Sequence, residues 1–134
     1  MADDSGIEVR ALSDAPGPRS ARYGPTDAAR NARILRELTQ IGAVSPAARR
    51  ASFRCVAALA FPDGTSAWAE GVWSGEILPA PRGRGGFGYD PIFLDTRSGL
   101  SAAEMTSAQK RASSHRGRAF RALLTPDRIE RIRS

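Results

Sequence analysis

From Ser52 the apolar side chains fall on every second residue, as Phe53, Cys55, Ala57, Leu59 and Phe61, until Pro62-Asp63-Gly64 breaks the run. A period of two describes a strand with one buried face, and the Pro-Asp-Gly turn leads into a second extended run around Thr65–Trp73. The two runs form a β-hairpin, the clearest element in the chain. Trp68 and Trp73 lie on opposite faces of the second strand, so one is expected in the core and the other at a surface or interface. Cys55, in the apolar alternation, is expected in the core.

Other elements arrange themselves around this hairpin. Ile7 and Val9 alternate as a short strand, preceded by the polar turn formers Asp3-Asp4-Ser5-Gly6. Residues 13–25, rich in Pro and Gly, read as loop. Thr26 caps a helix running to about Gln40, with Asp27 at its positive end, Ile34, Leu35, Leu38 and Ile41 on one face, and Gly42 ending it. A third extended stretch at 75–78 leads into Pro79–Gly88, which holds two Pro and four Gly and reads as loop. Ile92-Phe93-Leu94 is a short buried strand, followed by a Ser98-Gly99 turn. Thr106 and Gln109 make a capping box that opens a helix carrying Lys110, His115 and Arg116, and Pro126 stops it. The order β-α-β-β-β-α predicts one mixed α/β domain over residues 1–134, a twisted sheet with flanking helices and antiparallel pairing.

At 134 residues, 41% hydrophobic and 25% charged, the chain is long enough for one core without covalent staples. A single cysteine excludes a disulfide scaffold or a Cys-x-x-Cys metal site, and a reducing cytoplasm is the expected location. No run approaches the ~20 apolar residues of a membrane span, and the acidic start is unlike a signal peptide. The net charge of +6 favours phosphate-bearing partners, although it also fits a plain solvated basic face. Nineteen of the twenty basic residues are Arg, which singles out Lys110, since a compact ammonium and a planar guanidinium are not interchangeable.

Three constellations carry chemistry. Asp3-Asp4-Ser5 places two carboxylates and a hydroxyl together, suited to holding Mg²⁺ and orienting a water, or simply to making a polar turn. Arg82–Pro91 combines glycines that allow close backbone approach, cations, and the ring of Phe87 on which a base can stack; its plainer reading is a hairpin loop with an aromatic plug. Lys110-Arg111-Ala112-Ser113-Ser114-His115-Arg116 offers cations to an anion, and adjacent donors at His115 and Arg116 to a carbonyl on a base edge.

Taken in order, Ala2-Asp3-Asp4-Ser5-Gly6, Ala15-Pro16-Gly17, Ser20-Ala21-Arg22-Tyr23, Gly86-Phe87-Gly88-Tyr89-Asp90-Pro91 and Ser114-His115-Arg116 resemble the inosine triphosphate pyrophosphatase family, the dITP/XTP diphosphatases. The resemblance covers essentially the whole chain. It implies Mg²⁺-dependent hydrolysis of the triphosphates of inosine, xanthosine and their deoxy forms to monophosphate and pyrophosphate. It implies Asp4 as the catalytic, metal-holding carboxylate with Asp3 beside it, and Ser5 as a substrate contact. Phe87, Gly88, Tyr89 and Asp90 would line the nucleoside pocket, Lys110 would bind substrate, and His115 and Arg116 would read the base. A cytoplasmic homodimer, with no membrane and no stable nucleic-acid partner, is the corresponding expectation. The family's Thr-Gly-Asn phosphate loop, its following Lys and its metal-binding Glu have no counterpart here, so the chain reads as lacking the family's N-terminal third. A basic nucleotide- or nucleic-acid-binding module and an inactive truncated remnant are the alternatives.

Overall fold

The computed structural model describes residues 2–133. Its elements are β1 (Ala2–Val9), β2 (Ala15–Pro16), α1 (Asp27–Gln40), β3 (Arg50–Ala60), β4 (Ser66–Ile77), β5 (Phe93–Asp95), β6 (Leu100–Ser101), α2 (Ser107–Ser113), α3 (His115–Leu123) and α4 (Pro126–Arg133), with short 3-10 turns between several of them. The six strands form one antiparallel sheet in the order β2-β1-β3-β4-β5-β6.

The β3–β4 hairpin is the spine of this sheet. Its turn is closed by Gly64 N–H donating to Phe61 O at 3.0 Å and by Asp63 Oδ1 accepting from Thr65 N–H at 2.9 Å. Ala51, Phe53, Cys55, Ala57 and Leu59 are all buried on one face, as the alternation requires. Trp73 is 1% exposed and Trp68 68%, so the strand separates them as expected. The extended stretch at 75–78 is not a separate strand: pairing with β3 continues to Glu76 opposite Arg50, and β4 runs unbroken to Ile77.

Two apolar clusters lie on the same face of the sheet. One joins Ile7 and Val9 of β1 to Ile34 and Leu38 of α1, with Phe53, Trp73 and Phe93 beneath them. The other joins Cys55, Ala57, Leu59 and Phe61 to Ala119 and Leu123 of α3. Each large side chain removed from water this way contributes about 1.5–3 kcal/mol. Helix α1 starts as read, with Thr26 Oγ1 accepting from Ala29 N–H at 3.1 Å. Its apolar face ends sooner, because Gln40 is the last helical residue and Ile41, at the cap, is 55% exposed. The other sheet face carries Arg54, held between Glu8 and Glu70, together with Val56 and Trp68.

The helix expected to run on from Thr106 is instead two helices. The capping box forms, but Ser114 adopts an extended backbone, ends α2, and accepts from Gly117 N–H at 3.0 Å to cap α3. A serine hydroxyl competes with the helical ladder, and here the cap wins. The break turns α3 back onto the hairpin, where Gly71 admits it; a Cβ at Gly71 would lie 2.0 Å from His115 O. Pro126 follows the end of α3 and occupies the first turn of α4, where its missing N–H costs nothing.

Candidate active site

Asp3, Asp4 and Ser5 lie in strand β1, not in a turn before it, because backbone pairing with β3 continues to Ala2 opposite Ala58. A ladder of satisfied N–H and C=O groups overrides the local turn preference of Asp and Ser. The strand also separates the two carboxylates, since successive side chains point to opposite faces. Asp3 shares the face of Ile7 and Val9, where its Oδ2 receives Arg116 Nε at 3.0 Å and lies 4.0 Å from Cys55 Sγ. Asp4 points to the open face, exposed, beside a small cleft of about 120 Å³ lined also by Ser5, Gly6, Glu8, Gly17 and Arg54.

The Gly86–Asp90 loop is built around a buried carboxylate. Asp90 is 4% exposed, and its Oδ2 accepts from Phe87 N–H at 3.0 Å and from the Lys110 ammonium. Gly86 is required here: its φ is +70°, and a Cβ would lie 2.1 Å from that oxygen. Lys110 Nζ sits 4.5 Å from the centre of the Phe87 ring, whose other surroundings are open, the residue being 71% exposed. Tyr89 turns inward, its hydroxyl donating to Ser20 O at 2.5 Å. Burial pushes that hydroxyl up to about 12, so it stays a proton donor and anchors the loop. Between this loop and α1 lies a groove of about 500 Å³, lined by Asp27, Asn31, Leu35, Arg84, Phe87 and Gly88 among others.

His115 opens α3 with its ring stacked 4.7 Å from Phe53 and 6.4 Å from Trp73. Burial, reinforced by Lys110 and Arg116 and opposed by Asp3, lowers its pKa from 6.5 to about 4. The imidazole is therefore neutral at physiological pH, with one donor and one acceptor nitrogen. Nδ1 is buried and has no hydrogen-bond partner among the described residues. Phe87, Asp90 and Lys110 thus form one contact cluster and Arg116 and Asp3 another, with His115 near enough to Lys110 and Arg116 for both to lower its pKa, whereas Asp4 points to the other face of its strand. Asp27, Asn31 and Ser20 support the loop from 57 or more residues away and were not singled out for that role from sequence; the i, i+4 spacing of Asp27 and Asn31 is the one local signal that could have linked them.

Magnesium, implied by the resemblance, needs several oxygen ligands around one point. Among the described residues no group of three or more His, Cys, Asp or Glu side chains is placed to hold a metal ion. The strand gives each face a single carboxylate from the Asp3-Asp4 pair, so these residues do not by themselves compose such a site.

The sequence profile of the Ham1 family matches residues 1–126. The chain belongs to the Ham1 family. It is 54% identical over 125 residues to the dITP/XTP pyrophosphatase of Nostoc sp., covering 92% of this chain and 61% of that one. To the dITP/XTP pyrophosphatase of Nitratidesulfovibrio vulgaris it is 51% identical over 134 residues, covering 92% and 63%. Solved Ham1 proteins from Coxiella burnetii and Staphylococcus aureus superpose with a TM-score of 0.81 each, at 43% and 40% identity. They are matched over 91% of this chain and 63% and 62% of their own. The Ham1 fold is therefore present here, and the chain spans about three-fifths of the length of these relatives. No helix among the described residues is long and apolar enough to cross a membrane.

Proposed function

We propose that this Ham1 chain acts on the triphosphates of inosine and xanthosine and their deoxy forms, releasing pyrophosphate and leaving the monophosphate. The observation that carries this reading is the Phe87–Asp90–Lys110 cluster lying beside a neutral His115. Phe87 offers an exposed ring for a base, and Asp90 fixes the Lys110 ammonium over one face of that ring, leaving the other for stacking. Donors from His115 and Arg116 suit the 6-oxo group of hypoxanthine or xanthine. Adenine would set its 6-amino donor against them, and each polar group left unsatisfied costs about 1–3 kcal/mol. A chain of net charge +6 draws the triphosphate toward this surface.

In this reading Asp4 is the carboxylate that acts on the attacking water. Its exposure and its lack of a hydrogen-bond or ion-pair partner among the described residues support that role. Magnesium is the cofactor proposed, with Asp4 as one ligand; the described residues do not complete its site. The test is pyrophosphate release from ITP and ATP by the 134-residue chain in magnesium buffer, alongside Asp4→Asn. Release from ITP well above ATP, abolished in Asp4→Asn while IMP binding stays within twofold, is expected. Equal turnover of ATP, or an active Asp4→Asn, overturns the reading.

A further inference from the structure

The segment bearing Phe87 is gripped from behind by two side chains one turn apart on α1. Asp27 Oδ2 accepts from Gly88 N–H at 2.9 Å, and Asn31 Nδ2 donates to Gly88 C=O at 3.2 Å. Both polar groups that flank one Cα are thus fixed by an i, i+4 pair about 60 residues away in the chain. Gly88 has φ +62° and nothing within 4 Å of its missing Cβ, so sterics alone do not hold this residue in place.

The grip is itself secured. The second oxygen of Asp27 pairs with Arg30, whose guanidinium also donates to Gly24 O at 2.7 Å. The bond from Gly88 is the first cause holding the Asp27 carboxyl below its ordinary pKa, followed by the bond from Arg30. Asn31 is 6% exposed, and reversing its amide would set Oδ1 against the Gly88 carbonyl, so its orientation is determined. In that orientation Oδ1 is buried with no partner among the described residues. The hydrogen bond given for this buried amide is the one its Nδ2 donates to Gly88 C=O, so the donor end is the one engaged.

We propose that Asp27 and Asn31 are positioning residues that clamp Gly88, fix the pose of the Phe87 ring and so set the affinity for the nucleoside base. The proposal rests on the function proposed above. Phe87 and Tyr89 flank the clamped glycine. Tyr89 is pinned independently through Ser20, so loosening the clamp frees the Phe87 side first.

The test compares Asp27→Ala, Asp27→Asn and Asn31→Ala with the wild-type chain. The first loses the acceptor for Gly88 N–H, whereas the second keeps an oxygen there and loses the charge and the acceptor for Arg30. With IMP as the probe, Kd is expected to rise at least tenfold in Asp27→Ala and Asn31→Ala and to stay within twofold in Asp27→Asn. KM for ITP should follow the same pattern, with kcat changed less than twofold. A merely structural role would move the two Asp27 variants together, since both lose the Arg30 ion pair. Wild-type affinity in Asp27→Ala, or equal weakening in Asp27→Asn, overturns the proposal. Amide exchange at Gly88 separates the two levels of argument: protection should fall about tenfold in Asp27→Ala but not in Asp27→Asn. If the wild-type chain neither binds IMP nor hydrolyses ITP, the nucleotide reading falls, and with it the affinity role. The exchange result then decides the clamp alone, and unchanged Gly88 protection overturns it in every case.

Discussion

The two sides of the candidate site are built differently. The Gly86–Asp90 loop is tied from three directions, by Lys110 on α2, by Asp27 and Asn31 on α1, and by Ser20. Residues 2–5 of β1 are exposed, supported by backbone pairing with β3 and by the contacts of Asp3 with Arg116 and Cys55. The side proposed to recognise the base is thus organised in advance of any ligand, whereas the side bearing Asp4 is ordered by its strand alone. On the proposed function, preorganisation concentrates where hydrogen bonds would discriminate between bases.

Substitutions can break this contrast. Asp90→Ala strips the Lys110 ammonium and the Phe87 N–H of their shared acceptor in a buried setting. It should destabilise the fold by about 3–4 kcal/mol in urea denaturation, at the low end for a broken buried pair because Lys110 keeps some exposure. A loss under 1 kcal/mol would show that the loop is not built around this carboxylate.

His115 sharpens the comparison through pH. Its pKa is about 4 folded against 6.5 for the free side chain, so between those values the unfolded chain binds the extra proton. The resulting stability is complete above pH 6.5 and is lost as pH falls toward 4, by about 3 kcal/mol at most. Denaturation across this window should show the slope in wild type and lose it in His115→Gln. A slope that survives the substitution would assign the effect to other groups.

Gly71→Ala probes the seat of α3. Its methyl would meet the backbone of His115 and Ala119 at 2.0 and 2.5 Å, and a loss of about 2 kcal/mol is expected, with the His115 ring moved off Phe53. Chemical shifts of the Phe53 and His115 rings would report the displacement. The smallest effect belongs to the strand side. Asp3→Asn removes a partly exposed ion pair and should cost about 0.5 kcal/mol, and Asp4→Asn less still. Losses as large as those of the loop variants would erase the difference between the two sides.

Much of this was legible in the residues themselves. The hairpin, the Thr26 cap, the Thr106–Gln109 capping box, the burial of Cys55 and the separation of Trp68 from Trp73 onto opposite faces follow from spacing and local chemistry, which need only neighbours in sequence. Arg82–Pro91 and Lys110–Arg116 were readable as two sets of residue types, and only the family resemblance joined Phe87, Asp90, Lys110, His115 and Arg116 in one expected site. Their roles were less so. Asp3-Asp4-Ser5 reads locally as a turn, and only the length of β3 draws it into a strand. Ser114 lies within a helical period, and only the packing of α3 on Gly71 makes its cap preferable to an unbroken helix.

The sequence by itself determined which segments are strands and helices over most of the chain, which face of the hairpin is buried, and which side chains were candidates for the site. The tertiary structure decided that Asp3 and Asp4 face opposite ways, that Tyr89 anchors while Phe87 presents its ring, and that Asp27 and Asn31 hold Gly88. It also set Arg49, one of nineteen arginines, inside the core, donating to the carbonyls of Ala43, Ile77 and Leu78. The division has one physical cause. Periodicity and capping are properties of adjacent residues, whereas a hydrogen bond between residues 28 or 57 positions apart exists only once the sheet has fixed where both ends lie.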